Sequence, residues 1–545
     1  MCSRRLAFNR RTRQQAFGGA DRAVFAMAAS STSMRKVWLA FMVWMLRQHA
    51  ACGQIYAFEK EQVPLSKELH ILHAFYVYSY EDAPEKKAGQ PFIEFRAMQA
   101  TPASNGRITA EMEGYEGIQL SIMRNSDLWT LIHPNKFCSS QMDVKANLAE
   151  KKDRFFMRNV VGKSYRDAGV YARTVPFAKV PQKDARESIE STGVYILVFS
   201  NCGHIADATV SGTVLVKNAY GFLPGNEYHK MPFYGWLLVV YALLAITWLC
   251  LSLRWWKELL MIHNCIAAVI FLGLLECFLW FVFYNDWNGS GLRGKFLFVL
   301  SILATVTKST FSYMLVLVAS LGWGVTRPYL DSQVITKIQV ISFFYIGLNF
   351  IRETVLSFRN SHSLSIPFVL LCLLPVSLMN GGIFSWVFTA LSSLMETLKE
   401  RHQFEKLLLF QRLWKILVFA IVVATLTLLG QIFFLSRSMT ARWKYQWLIT
   451  DGISHALFLF VLAAMMLLWA PNMNSQRYAY SSQVGTTDDH EGGGGDHAGA
   501  VWADEDPLDD DGEDGESFWA TTKGVSALSS SPQTRAKGEV IGLAS

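Results

Sequence analysis

Long apolar runs fill the chain after residue 225 and alternate with short polar connections. Seven of these runs have the length that an α-helix needs to cross a bilayer, about 20 residues. Their approximate ranges are 233–253, 262–284, 296–320, 338–356, 364–391, 416–435 and 447–470. A helix satisfies its own backbone hydrogen bonds, as a hydrocarbon environment requires. The pattern therefore predicts a bundle of seven transmembrane helices over 226–475, with the fifth helix kinked by Pro367 and Pro375.

Residues 54–225 have a different pattern, in which short apolar stretches are separated by glycine, proline, asparagine and serine. The stretches are rich in aromatic and β-branched side chains, as β-strands are. They occupy 70–80, 91–100, 117–125, 194–202 and 208–218. The charged stretch 143–170 is instead typical of a loop or a helix. We expect a small antiparallel β-sandwich over 54–225.

Both ends of the chain fall outside these two patterns. Residues 34–53 combine a short basic start, an apolar run and small side chains, as a secretory signal peptide does. An organelle transit peptide is the alternative, because the leader is rich in arginine and nearly free of acids. We interpret residues 1–33 as an upstream extension. Residues 476–545 are rich in glycine, serine and acidic side chains, and this composition predicts a disordered tail.

Composition supports a membrane protein and bears on its orientation. Of the 545 residues, 51% are hydrophobic and only 17% are charged, against about 25% charged in soluble domains. A signal peptide would place the β-sandwich in the lumen, and seven spans would then place the C-terminus in the cytosol. The flanks of the spans agree, with ten lysines and arginines on the predicted cytosolic side and eight on the luminal side. No basic patch is interleaved with aromatic residues, so we expect no nucleic-acid partner.

The predicted soluble part contains two cysteines, Cys138 and Cys202, and no catalytic motif. In a secretory compartment such a pair is typical of one disulfide, and the alternative is two buried thiols. The sequence has no phosphate-binding glycine loop or nucleophile elbow, and its histidines lack metal-ligand spacing. We therefore predict no enzymatic activity, no cofactor and no metal. One glycosylation sequon begins at Asn288, close to the end of a predicted span, where we expect it to be unused.

A few polar side chains interrupt the apolar runs. Glu276 lies near the middle of the second span and Lys308 near the middle of the third, and the others are Asn380, Asp451 and His455. Ionisable groups are costly in hydrocarbon, so each one is a candidate functional residue. One hypothesis is a polar cavity lined by all five, which would bind a small molecule or a lipid headgroup, or pass ions. The alternatives are a structural Glu276–Lys308 pair that fixes helix register, and a neutral, protonated Glu276.

Three stretches together resemble a known family. They read GVYILVFSNCGH…TVSGTVLVKNAYGFLPGNEYHKMPFYG at the end of the predicted sandwich, SLGWGVTRPYL at 320–330 and LLWAPNMNSQRYAYS at 467–481. They are similar to the GOLD-domain seven-transmembrane proteins, also called lung seven-transmembrane proteins, and most of all to the transmembrane-protein-eighty-seven branch. The resemblance covers roughly 54–482. Family members usually have arginine where this chain has Ala470.

The resemblance implies a luminal GOLD-like β-sandwich on a seven-helix bundle in Golgi and endosomal membranes. It also implies a role in membrane trafficking, notably retrieval from endosomes to the trans-Golgi. The acidic tail would then contact trafficking machinery, or remain solvated without a partner. The ionisable residues inside the spans favour a second hypothesis, a cation channel or transporter. An orphan receptor is the third, although the chain lacks the Asp-Arg-Tyr and Asn-Pro-x-x-Tyr stretches of common G-protein-coupled receptors.

Overall fold

The computed structural model of the chain describes residues 54–63, 70–102, 118–128, 136–149, 152–155, 169–178, 180–202, 208–326, 330–359, 366–436 and 443–471. The predicted signal peptide over 34–53, the extension before it and the acidic tail over 476–545 lie outside the described residues.

In the N-terminal part that the structure describes, eight strands form two four-stranded antiparallel sheets. They are β1 (Ile55–Gln62), β2 (His70–Val77), β3 (Phe92–Pro102), β4 (Ile118–Arg124), β5 (Val170–Thr174), β6 (Ala185–Ser188), β7 (Gly193–Asn201) and β8 (Ala208–Lys217). One sheet has the order β1-β8-β3-β6 and the other the order β2-β7-β4-β5. The predicted antiparallel β-sandwich, here called the β-domain, is confirmed.

The two sheets enclose one apolar core, because alternate side chains along each strand point toward the opposite sheet. Phe58 on β1 and Phe199 on β7 meet across the core with ring centroids 5.4 Å apart and nearly perpendicular planes. Aromatic pairs favour this edge-to-face arrangement. Ile93 and Leu120 are fully buried beside them. The sandwich is therefore held together by side chains from both sheets.

A smaller apolar cluster covers the outer face of the β2-β7-β4-β5 sheet. Phe137 and Phe155 pack there with Met123 of β4. A disulfide between Cys138 and Cys202 ties this covering segment to the residue that follows β7, and the two Cα atoms are 5.3 Å apart. Because the sheet is covered on both faces, six of the seven residues of β4 are buried.

The covering segment contains a five-residue helix, Gln141–Lys145, which begins after Ser140. The carboxylate of Asp143 accepts hydrogen bonds from Lys136 Nζ at 2.5 Å, from the Ser140 backbone N–H at 2.7 Å and from Ser140 Oγ at 2.6 Å. These bonds, that of Lys136 above all, lower the pKa of the Asp143 carboxyl to about 2. A charged Asp143 therefore stabilises this turn.

The apolar pattern predicts β2, β3, β4, β7 and β8, but it does not predict the other three strands. β1 and β6 read IYAFEKEQ and ARES. These two strands and β5 lie at sheet edges, where polar side chains can face water. A bulge between Phe58 and Glu61 also interrupts the alternation of β1. The charged stretch 143–170 begins inside the helix Gln141–Lys145 and ends at the start of β5, and its residues 156–168 lie outside the described part.

Seven long helices follow the β-domain in the described chain. They are α1 (Lys230–Arg254), α2 (Met261–Ser290), α3 (Lys295–Ser320), α4 (Ser332–Arg359), α5 (Ile366–Glu400), α6 (Phe404–Ser436) and α7 (Ile453–Leu468). Each is long and apolar enough to cross a membrane, α7 together with the helical turns that precede it from Trp443. The predicted seven-helix bundle is confirmed. The fifth helix continues through Pro375.

Each helix packs against the next one in the chain, and α7 also packs against α2. At the end away from the β-domain, α5 continues to Glu400 and α6 begins at Phe404, well beyond their predicted spans. These extra turns are amphipathic, because Leu398 and Phe410 are buried while the charged residues around them are mostly exposed. The apolar runs did not predict them, since charged side chains interrupt the pattern there.

A buried junction joins the β-domain to the bundle, and Asn288 near the end of α2 lies at its centre. Its Nδ2 donates to the carbonyl of Tyr220 at 3.0 Å, and its Oδ1 accepts from the Leu223 N–H at 3.2 Å. Its own carbonyl accepts from the Phe222 N–H at 3.0 Å. N-glycosylation would modify the side-chain amide nitrogen of Asn288, which in the fold already donates a hydrogen bond to Tyr220.

Trp443 makes a second contact in the junction, where it packs on Tyr78. The two ring centroids are 4.9 Å apart. Trp443 also lies so close to Gly225 that a Cβ there would be 2.8 Å from the indole ring. The Tyr78 hydroxyl is 3.1 Å from His229 Nε2. The β-domain and the helices thus share one buried cluster across the junction.

Candidate functional site

Glu276 of α2 and Lys308 of α3 form an ion pair inside the bundle. Lys308 Nζ lies 2.6 Å from Glu276 Oε2, and the two residues are 3% and 1% exposed. At a rise of 1.5 Å per residue, Glu276 lies about 21 Å from the end of α2, which is near the middle of a bilayer. Either charge alone would be costly at this depth, and the hydrogen-bonded pair offsets part of that cost.

Aromatic side chains surround the pair. The Lys308 ammonium lies 4.1 Å from the ring centroid of Phe458 on α7 and 5.6 Å from that of Tyr241 on α1, distances at which a cation is attracted to a ring face. Trp280 donates from Nε1 to Thr305 Oγ1 at 2.9 Å, one helical turn before Lys308. Four helices, α1, α2, α3 and α7, therefore enclose this charge pair.

The next layer toward the β-domain is built on Tyr234 and His455. The Tyr234 hydroxyl lies 3.1 Å from His455 Nε2, which joins α1 to α7. The Tyr234 ring stacks on Trp280 and Tyr284 of α2, with centroids 5.9 Å and 6.0 Å away. His455 also interacts electrostatically with Glu276. This layer connects the ion pair to the polar groups above it.

The outermost layer is centred on Lys230, at the first residue of α1. Its Nζ lies 2.9 Å from Asp451 Oδ2 and 3.0 Å from Glu227 Oε2. The Tyr284 hydroxyl donates to the same Glu227 oxygen at 3.4 Å. The three layers form what we call the polar column, which consists of Glu227, Lys230, Tyr234, Glu276, Lys308, Asp451 and His455.

The polar column occupies only the half of the bundle that faces the β-domain. Beyond Lys308, the buried side chains that α2, α3 and α7 contribute are mostly apolar, such as Ile270, Leu315, Leu462 and Met465. Thr310, which is also buried there, bonds to the backbone carbonyl of Val306 in its own helix. The buried charged groups of the column therefore lie on the β-domain side of the Glu276–Lys308 pair, and mostly apolar side chains of α2, α3 and α7 fill the other side.

The structure brings together four of the five polar residues singled out in the sequence. Glu276 and Lys308 form the deep pair, and Asp451 and His455 belong to the two layers above it. Asn380 lies on α5, which packs against α3, α4 and α6. Its Oδ1 is buried with no hydrogen-bond partner. Among the described residues, Asn380 forms no hydrogen bond or ion pair with a member of the column.

The sequence did not single out Glu227, Lys230 and Tyr234. The signal was present in the stretch NEYHKMPFY, where Glu227 and Lys230 are three residues apart and therefore share a helix face. Their position at the start of the first span suggested ordinary interfacial residues. Among the described residues, no three His, Cys, Asp or Glu side chains are grouped as a metal ion would require.

The bundle matches the model of a known seven-transmembrane domain. The GOST seven transmembrane domain model aligns with residues 229–476, a range that contains the whole column except Glu227. Residues 229–476 are therefore similar to the seven-transmembrane domain of the GOST family. The resemblance predicted from the three sequence stretches is confirmed, and every residue of the polar column except Glu227 lies in the matched range.

Three curated membrane proteins are also similar to this chain in sequence. Transmembrane protein 87A of Xenopus tropicalis is 30% identical over 283 residues, which cover 51% of this chain and 51% of the relative. Transmembrane protein 87B of Homo sapiens is 28% identical over 373 residues, 67% of this chain and 63% of the relative. Membrane protein PTM1 of Saccharomyces cerevisiae is 26% identical over 364 residues, 63% of this chain and 68% of the relative. The chain therefore spans about half to two thirds of the length of these relatives.

Proposed function

We propose that this chain acts in membrane trafficking in Golgi and endosomal membranes, most directly in the retrieval of cargo from endosomes to the trans-Golgi. The observation that carries the proposal is the buried junction. Asn288 and Trp443 hold the β-domain to the helices at two separate points. A β-domain fixed in this way can transmit what it binds to the membrane-embedded helices, which is what a cargo-handling protein needs.

In this proposal the protein is not an enzyme, and the β-domain recognises cargo in the lumen. The C-terminus then lies in the cytosol, where its acidic residues contact trafficking machinery. The family resemblance supports the location. The orientation is tested by protease protection in sealed Golgi vesicles, with one epitope tag before β1 and one at the C-terminus. Digestion of the C-terminal tag alone supports the proposal, and digestion of the other tag alone contradicts it.

The role itself is tested by the delivery of an endocytosed cargo to the Golgi in cells that lack the protein. We expect delivery to fail and wild-type protein to restore it. Trp443→Ala, which removes the junction contact with Tyr78, should not restore it. Tyr445→Ala should, because this side chain of the same turn is 67% exposed. Equal amounts of each variant must reach the Golgi, and normal delivery without the protein would contradict the role.

The polar column favours a second candidate function, a cation channel or transporter. A charge pair buried near the middle of a bundle, with polar layers leading to it from one side, is typical of ion and proton pathways. Purified protein in planar bilayers tests this function across voltage and membrane tension. Glu276→Gln should alter any current while the protein remains folded. A complete absence of current from wild-type protein would contradict the channel.

A further inference from the structure

Residues 443–455, which lead into α7, contact both the β-domain and the polar column. Trp443 at its start packs on Tyr78 of the β-domain. Asp451 pairs with Lys230 inside the bundle, and His455 follows one turn deeper. The register between Trp443 and Asp451 therefore decides whether both sets of contacts form together.

A π turn lies between Trp443 and His455 and contains Asp451. It covers Leu448–Gly452, and the Ile453 N–H donates to the carbonyl of Leu448, five residues earlier. An α-helical bond would reach only four residues back. Inside the turn, Thr450 Oγ1 lies 2.6 Å from Asp451 Oδ2 and 3.1 Å from the carbonyl oxygen of Gln446. Single π turns are rare and occur often at functional sites.

We propose that this π turn is a register switch that couples the junction to the polar column. Closing the turn to an α-helix would change the register by one residue. In an α-helix one residue corresponds to about 100° of rotation and 1.5 Å of rise. Trp443 and Asp451 would then face different directions relative to each other. The contacts with Tyr78 and with Lys230 cannot both survive that change.

The contacts at both ends hold the switch in the observed state. Trp443 is confined by Tyr78 and by the close approach of Gly225. Asp451 is confined by Lys230, which Glu227 also holds at 3.0 Å. If the β-domain moves away from Trp443, the contact between Trp443 and Tyr78 is lost. The π turn can then close to an α-helix, and the ion pair between Asp451 and Lys230 breaks. This coupling does not depend on whether the protein handles cargo or ions.

Deletion of Leu448, a 44% exposed residue of the same turn, in the full-length protein in lipid nanodiscs tests the switch. The deletion removes the additional residue of the turn, so we expect faster backbone hydrogen exchange both in 76–82 and in 453–459. Deletion of Ser438 is the matched control, because it shortens the chain equally and leaves the register between Trp443 and Asp451 unchanged. Equal exchange in the two deletion variants would overturn the proposal.

A second variant keeps the test decisive if the deletion prevents folding. Trp443→Ala removes only the upper contact, and we expect exchange in 453–457, beyond the π turn, to become about tenfold faster, which corresponds to about 1.4 kcal/mol. Tyr445→Ala is the control, because its exposed side chain lies in the same turn. Faster exchange confined to 443–447 would overturn the coupling. The readout is hydrogen exchange and not cargo transport. The coupling can therefore fail while the trafficking role holds, and the trafficking role can fail while the coupling holds.

Discussion

Asn288 and Gly221 touch where the β-domain meets the bundle. Gly221 has a φ of +144°, and a Cβ at this position would lie 2.4 Å from Asn288 Oδ1. A larger residue would have neither a favourable backbone conformation nor space. The bare backbone of Gly221 lets Asn288 come close enough to bond to Tyr220 and Leu223. The two residues therefore form one joint between the domains.

Gly221→Ala tests this joint. The variant should be less stable by about 1–3 kcal/mol, the cost of a strained backbone position, and steric contact with Asn288 adds to it. The measurement is the thermal unfolding midpoint of the purified full-length protein. Gly289→Ala is the control, because no atom lies within 4 Å of the Cβ it would add. A Gly221→Ala midpoint equal to that of wild type would contradict the joint.

The sequon at Asn288 should carry no glycan, because its amide nitrogen bonds to Tyr220 in the folded protein. Treatment with a glycosidase that removes N-linked glycans should leave the electrophoretic mobility of the protein unchanged. Ser290→Ala abolishes the sequon and keeps Asn288, so its mobility should equal that of wild type. Asn288→Ala should lower the unfolding midpoint more than Ser290→Ala does. A glycosidase-sensitive band that Ser290→Ala abolishes would contradict this assignment.

Breaking the Glu276–Lys308 pair from either side should be costly. Glu276→Gln or Lys308→Met leaves one charge buried without its partner, and such a change costs about 3–5 kcal/mol. The double variant removes both charges and should cost less than the sum of the two single changes. Unfolding midpoints of the four proteins in one detergent measure this, with Glu400→Gln at the exposed end of α5 as the control. Additive losses would show that the pair does not act as a unit.

Much of the fold follows from hydrophobic pattern alone. The seven spans are long apolar runs, and the central strands β3, β4, β7 and β8 are rich in inward-facing apolar residues, so burial leaves a strong signal in both. β1 and β6 were missed because edge strands carry polar residues that face water. The last turns of α5 and the first turns of α6 were missed for a similar reason, since exposed charged side chains interrupt the apolar pattern there.

The candidate site was less predictable because it depends on packing between distant segments. Glu276 and Lys308 stood out as charges inside apolar runs. Lys230 and Glu227 did not, since a charge at the start of a span is ordinary until the fold places Asp451 beside it. The π turn that carries Asp451 has no signature in the residues LITDG. Its geometry depends on contacts that residues at both of its ends make with distant segments. A hydrophobic pattern along the sequence does not show such contacts.

Asp143 gives the β-domain a pH-dependent element. Its pKa of about 2 in the folded chain lies below the ordinary 3.8, so ionised Asp143 stabilises the fold above about pH 4, and this contribution is lost as the pH falls through 2. Asp143→Asn should therefore speed hydrogen exchange in 141–146 at about pH 6, and the ratio of variant to wild type should approach one as the pH falls toward 2. Exchange of the full-length proteins at matched pH measures this ratio. Asp153→Asn, which changes a half-buried carboxylate of the same segment that pairs with Lys152, is the control. A ratio for Asp143→Asn that does not vary with pH would contradict the assignment.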